Sequence, residues 1–362
     1  MSGEVVAPGS IIGIIGGGQL ARMLAMAAAR LGYRTVVLEP QPDCPAAQVA
    51  NRQIVGAYDD PQALEQLASA CHIVTYEFEN VAVGGIVHLA RSMPVYPPPG
   101  ALEVSQDRLD EKRFLQDAGL ATADYRSVDS QNELEDALEA FQGQGVLKTR
   151  RLGYDGKGQV LFRGGEAIDG VYDSLGAVPL ILEALVSFDR EISVIAARDR
   201  NGTVRTYDPA ENVHRNGILA TSTVPARVSL AVRNEAARQA AAVLDALDYV
   251  GVAGIEFFVL ADGRLVANEM APRVHNSGHW TEAACLVSQF ENHVRAVCGL
   301  PLGSTIRHSD CVMHNIIGEE IEGATDIAAH PDTMLHLYGK AQWRSGRKMG
   351  HYTTLTGRAG ND

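Results

Sequence analysis

Residues 255–270 read IEFFVLADGRLVANEM, two apolar runs separated by Asp262-Gly263. Asp-Gly is a preferred two-residue type I′ turn, so the stretch predicts a β-hairpin with Leu260 opposite Leu265, Val259 opposite Val266 and Glu256 opposite Glu269. Opposed side chains lie about 5 Å apart at Cβ, and like charges there repel, the more so beside Ile255, Phe257 and Phe258. A cation in the gap removes the conflict. Oxygen donors from Glu256, Glu269 and the Asn268 amide suit Mg²⁺, which nucleotide phosphates usually complete. The competing reading is that one glutamate faces solvent or pairs with a base such as Arg273, or that a longer loop shifts the register.

A nucleotide needs a cradle, and no Walker-type G-x-x-x-x-G-K-[ST] loop occurs. Val146-Leu147-Lys148 reads instead as a strand ending in a cation, followed by Gly153-Tyr154-Asp155-Gly156-Lys157-Gly158 and a return strand over 159–162. Backbone N–H groups of such a loop can fold over phosphates. The composition also suits an ordinary glycine-rich hairpin; Lys148, Lys157, Arg150 and Arg151 tilt the reading toward an anion. Lys340, Arg347 and Lys348 form a second cationic group.

Upstream, an apolar run (11–15), Gly16-Gly17-Gly18, a helical pattern over 20–31 and a strand at 35–38 make a βαβ unit. Gly16-x-Gly18-x-x-Ala21 followed by Glu39 matches the dinucleotide fingerprint, which keeps an NAD-dependent oxidoreductase as a rival. Alone the motif is weak, because glycines also serve any tight strand-to-helix turn. The alternation runs on to Tyr96 and the Pro97-Pro98-Pro99-Gly100 breaker. Shorter strands and a helix over 132–140 then suggest an α+β lobe, and a third lobe carries the hairpin. Four units are expected: 1–105, 106–185, 186–302 and 303–362.

A chain of 362 residues exceeds what one core usually supports. With 46% apolar and 21% charged residues it reads as globular rather than disordered. The net charge of -13 disfavours nucleic acid or an anionic membrane as partner. Five cysteines without C-x-x-C spacing suggest neither a disulfide framework nor a zinc knuckle, and with no signal-like start or membrane-length apolar run they point to a soluble, cytoplasmic protein.

The stretch 271–280 reads APRVHNSGHW, in which His275 and His279 have the four-residue spacing of a helical zinc pair. Pro272 and Gly278 argue for a loop, which leaves Arg273 and His275 to hydrogen-bond or contact an anion, while His279 is as readily a structural histidine.

Taken together, 16–23, 153–159, Asn268-Glu269 and 271–281 resemble the 5-(carboxyamino)imidazole ribonucleotide synthase family of ATP-grasp ligases, over about 11–351. The resemblance implies a Rossmann-like pre-ATP-grasp domain that binds no NAD, an ATP-grasp lid and base, and a small β-rich C-terminal domain, in a homodimer. It implies ATP- and bicarbonate-dependent carboxylation of 5-aminoimidazole ribonucleotide through carboxyphosphate, with Mg²⁺.

Carried over by position, the family's ATP site falls on Arg108, Lys148, the loop Gly153, Tyr154, Asp155, Gly156, Lys157, Gly158 and Gln159, the hinge Glu183, Ala184, Leu185 and Val186, and Glu191, His214, Asn268 and Glu269. Its metal ligands fall on Glu256 and Glu269. Its ribonucleotide site falls on Gln19, Leu20, Glu77, Tyr154, Asp155, Arg273 and His275, with Lys340, Arg347 and Lys348 around the 5′-phosphate. Lys148, Asp155, Arg273 and His275 are the implied catalytic residues. Ala21 stands where that loop usually has Gly, and the chain stops soon after His351, where relatives commonly continue with a helix, so an altered tail is expected. A formate-dependent glycinamide ribonucleotide ligase and a non-catalytic nucleotide sensor share enough of this pattern to stay as alternatives.

Overall fold

The computed structural model describes residues 5–153 and 158–358. Three sheets organise them. The first is parallel, in the order β3-β2-β1-β4, from β1 (Ile11–Ile15), β2 (Arg34–Leu38), β3 (Arg52–Ile54) and β4 (Ile73–Tyr76). Burial on both faces explains why the central strand β1 reads as an unbroken apolar run, whereas the edge strand β3, Arg-Gln-Ile, does not. Pro99, expected to break the chain, instead sits in the first turn of a helix, Pro99–Ser105, where a missing N–H costs nothing.

The second sheet is antiparallel, in the order β5-β8-β6-β7, from β5 (Tyr125–Val128), β6 (Gln144–Thr149), β7 (Gln159–Arg163) and β8 (Leu180–Glu183). The helix Arg108–Asp117 leads into it. Asp107 caps that helix by accepting from Leu109 N at 3.0 Å, and Arg108, Glu111 and Lys112 share one helical face.

The third sheet has nine strands: β9 (Arg190–Arg198), β10 (Val204–Thr206), β11 (Ala210–Arg215), β12 (Ile218–Val224), β13 (Gly251–Val259), β14 (Leu265–Ala271), β15 (Ser309–Ile317), β16 (Thr333–Leu337) and β17 (Lys348–Arg358). Their order is β14-β13-β9-β11-β12-β15-β17-β16, with β10 on β9, and all pairings are antiparallel. The sheet therefore runs unbroken from the hairpin into the C-terminal strands. We propose the four-part division given above for this chain, with the last two parts sharing this sheet.

Alternation decides the two faces of β9. Ile192, Val194 and Ala196 pack with Val232, Ala236, Ala240, Val243 and Leu244, the apolar stripe of the helix Leu230–Ala246. Ile195 and Ala197 face the other way, into a core shared by the helices Gln19–Arg30 and Gln289–Cys298. That shared core clamps the first sheet's glycine loop against the third sheet, and a cavity of about 720 Å³ opens between them and the second sheet. Among the described residues no helix is long and apolar enough to cross a membrane.

Candidate active site

The hairpin turns one residue wider than expected. Gly263 N donates to Leu260 O at 2.8 Å, Leu260 N donates to Arg264 O at 2.9 Å, and Gly263 takes φ +83°. This is a three-residue loop with glycine in the left-handed position, not a two-residue type I′ turn. Near it the partners are Val259 with Leu265 and Phe258 with Val266, one off the expected register. Beyond Phe257 a β-bulge intervenes, and the ladder resumes with Ile255 on Met270 and Gly254 on Ala271. Asn268 and Glu269 thus oppose Glu256 together. Leu265, Ala267 and Met270 all enter the core, whereas the consecutive Asn268 and Glu269 both line the cavity with Glu256. The loop and the bulge displace the register in opposite senses, so the two glutamates share one wall.

Their titrations part. Burial and the facing Glu269 push Glu256 up. Burial opposes the charge of Glu269 as well, but Arg108 Nη1, 2.9 Å from its Oε2, together with Lys148 holds it well below the usual range. Arg108, rather than Arg273, is thus the basic partner. His275 Nε2 lies 3.6 Å from Glu256 Oε1, yet burial and Arg273 push His275 down to about 3, so it is neutral. Two carboxylates and a carboxamide, with one carboxylate left without a full counter-charge, form the donor set a hard dication prefers, and Glu256, Glu269 and Asn268 fit Mg²⁺ on that ground.

Beside the pair stands a cationic wall. Glu183 accepts from Lys148 at 3.0 Å and pairs with Lys112 at 3.1 Å; burial opposes its charge, but the two ammonium groups bring it down to about 2. Lys112 also donates to Asn268 O at 2.7 Å, fixing the bulge from behind. Burial pushes Lys148 down, and the Glu183 carboxylate opposes that shift. Asp107 holds Arg150, which also lines the cavity, through two hydrogen bonds at 2.9 and 2.8 Å. Opposite, a register shift in β11 after Val213 turns His214 to Glu191, 2.6 Å away; burial disfavours its charge, but that hydrogen bond raises it.

The glycine loop contradicts its dinucleotide reading. Its amides are already occupied: Gly18 N and Ala21 N donate to the two oxygens of Glu77, the latter at 2.8 Å, and Gly17 N donates to Glu39 at 3.0 Å. A Cβ at Gly18 would lie 2.7 Å from Glu77 Oε1. The helix N-terminus that would hold a pyrophosphate holds a protein carboxylate instead. Glu39, expected on a ribose of NAD, braces the same loop.

Gln19, Leu20, Glu77, Arg108, Lys148, Gly153, Gln159, Glu191, His214, Glu256, Asn268, Glu269, Arg273, His275 and Lys348 all line the one cavity. Gly158, Glu183, Ala184, Leu185, Val186, Lys340 and Arg347 lie outside its lining. For Glu183 the reason is its burial beneath Lys148; Lys340 donates to Lys348 O at 2.6 Å. Tyr154, Asp155, Gly156 and Lys157 fall outside the described residues. His275 and His279 flank a 3-10 turn, Asn276–Gly278, and do not pair; His279 is buried against Gln289.

Sequence reasoning missed Glu79, Glu111 and Lys112. Glu79 accepts from two Arg273 nitrogens, Nε and Nη2, the latter at 2.9 Å. Glu111 accepts from Met270 N at 2.6 Å, and burial with the nearby Glu269 pushes it up to about 8. The Arg108, Glu111, Lys112 spacing on a capped helix was the available signal.

Comparison with known proteins supplies the context. The ribonucleotide synthetase preATP-grasp domain matches residues 10–106, the ATP-grasp domain 113–290, and the phosphoribosylaminoimidazole carboxylase C-terminal domain 311–360. N5-carboxyaminoimidazole ribonucleotide synthase from Brucella melitensis is 61% identical over 350 residues, 96% of this chain and 97% of that one. The Bacillus subtilis protein of that name is 43% identical, covering 98% and 94%. Among solved structures, an ADP complex of N5-carboxyaminoimidazole ribonucleotide synthetase superposes with TM-score 0.95 at 43% identity, covering 97% and 94%. An Aspergillus clavatus N5-carboxyaminoimidazole synthase in complex with ADP and 5-aminoimidazole ribonucleotide superposes with TM-score 0.89 at 31% identity, covering 96% and 94%.

Proposed function

The chain belongs to the N5-carboxyaminoimidazole ribonucleotide synthase family of ATP-grasp ligases, and from that premise we propose how its own residues do the work. It is an ATP-dependent ligase of purine biosynthesis that carboxylates 5-aminoimidazole ribonucleotide. The observation that carries the residue assignment is the bulge that turns Glu256, Asn268 and Glu269 toward Arg108 and Lys148 in one cavity.

In the proposed reaction bicarbonate supplies the carboxyl group. Its oxygen forms a bond to the γ-phosphorus of ATP as the β,γ bridge breaks, giving carboxyphosphate and ADP. Lys148 and Arg108, which line the same cavity, are assigned to stabilise charge on the transferring phosphoryl group. Mg²⁺ held by Glu256, Glu269 and Asn268 would supply further charge neutralisation on the phosphates. The exocyclic amine of the ribonucleotide then takes the carboxyl group, phosphate departs, and the amine loses a proton. Asp155 and His275 are the two candidates to receive it.

Arg273, held by Glu79, is assigned to the ribonucleotide together with Gln19, Leu20 and Glu77, and Lys340, Arg347 and Lys348 to its 5′-phosphate. Tyr154 and the rest of the 153–159 loop, with Glu183, Ala184, Leu185, Val186, Glu191 and His214, are assigned to ATP. The resemblance supports a homodimer, and five free cysteines support a reducing, cytoplasmic setting.

The test is phosphate release with ATP, bicarbonate and 5-aminoimidazole ribonucleotide, omitting each in turn, with formate plus glycinamide ribonucleotide as the control. Full turnover requires all three of the first set. Release with the control pair alone would move the chain to the formyl-transfer ligases.

A further inference from the structure

Among the described residues, a second set of ligand-bearing side chains converges away from the cavity. Glu282 lies in the short helix Thr281–Ala284, His336 in β16 and His351 in β17, and one ligand atom from each lies within 4.8 Å of the others. Glu282 Oε2 is 3.4 Å from His336 Nδ1 and 3.9 Å from His351 Nε2. It is shut away from solvent and has no hydrogen-bond partner among the described residues.

Those separations exceed the roughly 2.7 to 3.2 Å of a hydrogen bond. They are close to the edges of a metal tetrahedron, since donors about 2.0 to 2.2 Å from a zinc ion stand about 3.3 to 3.6 Å from one another. His351 is also oriented from behind. Tyr338 Oη lies 2.9 Å from its Nδ1, which leaves Nε2 turned toward Glu282, the outer contact that fixes tautomer and ring direction in metal-bound histidines.

We propose that Glu282, His336 and His351 form a structural transition-metal site, of the kind zinc fills, distinct from the oxygen donors of Glu256 and Glu269. Two imidazoles and one carboxylate select zinc over magnesium, and a dication among them satisfies the orphaned Glu282 oxygen. The site ties the helix after the 271–280 loop to the last two strands. Lys340 follows His336 by four residues, just beyond β16, and Lys348 opens β17 three residues before His351, so the ion would fix the segments next to the lysines proposed for the phosphate.

Chelator-treated full-length protein is titrated with zinc against a chromophoric chelator, and separately with cobalt(II), whose visible absorption reports coordination geometry. The expected result is one equivalent per chain and four-coordinate cobalt bands, in wild type and Glu269→Gln alike, with zinc affinity at least tenfold weaker in Glu282→Gln and His336→Gln. Absence of stoichiometric zinc, an octahedral cobalt spectrum, or binding lost in Glu269→Gln and kept in Glu282→Gln would overturn the proposal. If either ligand variant fails to fold, Tyr338→Phe, which removes only the contact behind His351, is expected to weaken zinc severalfold, and unchanged affinity counts against the site.

Discussion

Arg108 Nη1 donates to Glu269 Oε2 at 2.9 Å, so the carboxylate assigned to the metal already carries an arginine counter-charge. Loading a dication therefore redistributes an existing ion pair rather than filling a bare anionic gap. Arg108→Ala is expected to tighten apparent Mg²⁺ binding while raising the KM for ATP about tenfold or more, because the same guanidinium is lost to the phosphates. Steady-state kinetics at varied free Mg²⁺ separates the two effects; parallel weakening of both would refute the shared role.

Glu269→Gln keeps the shape of the bulge and removes the charge. Phosphate release from ATP should fall on the order of a hundredfold or more in kcat, as losses of transition-state charge stabilisation do. Near-normal release would sink the metal assignment.

Arg273→Ala should act on the ribonucleotide and on stability together. Glu79, partly buried with 27% of its side chain exposed, is left without its partner, a loss of roughly 1 to 3 kcal/mol. Pairing the change with Glu79→Gln should restore most of the thermal stability and none of the turnover. Differential scanning calorimetry beside initial rates reads both.

Glu183 makes a pH prediction of definite sign. Its folded value, about 2, lies below the ordinary carboxylate value of 4.5, so its contribution is full above pH 4.5 and is lost as pH falls toward 2. Denaturant unfolding of wild type and Glu183→Gln should converge in that window, with a difference on the order of 3 kcal/mol at neutral pH. A constant gap across the window would exclude the linkage.

Lys340 titrates within reach of an assay. Burial pushes it down to about 8, with Arg347 and Lys348 helping. If it grips the 5′-phosphate, the KM for the ribonucleotide should climb as pH passes 8, and Lys340→Arg, which stays charged, should flatten the rise.

Much of this was legible in the sequence because the deciding patterns were local. The Gly16 to Gly18 turn, the apolar strands and the carboxylates at 256 and 269 are read within a dozen residues. What escaped depends on chain segments far apart. The loop amides meet Glu77, about sixty residues on, and Lys112 reaches Asn268 O across 156. The hairpin illustrates a subtler limit: Asp262-Gly263 suggested the wrong turn, and the pairing of the glutamates survived because a bulge, which leaves no mark in composition, compensates the wider loop.

That bulge has an architectural corollary. Removing Asn268 alone would let Glu269 stand singly opposite Glu256, with Ala267 and Met270 keeping their partners and their core-facing sides. The chain would gain a regular hairpin and lose one donor from the cavity. Foldability and chemistry are thus written in different residues here: the ordinary ladder specifies the sheet, and one supernumerary position, inserted without disturbing the interior, gives it a ligand.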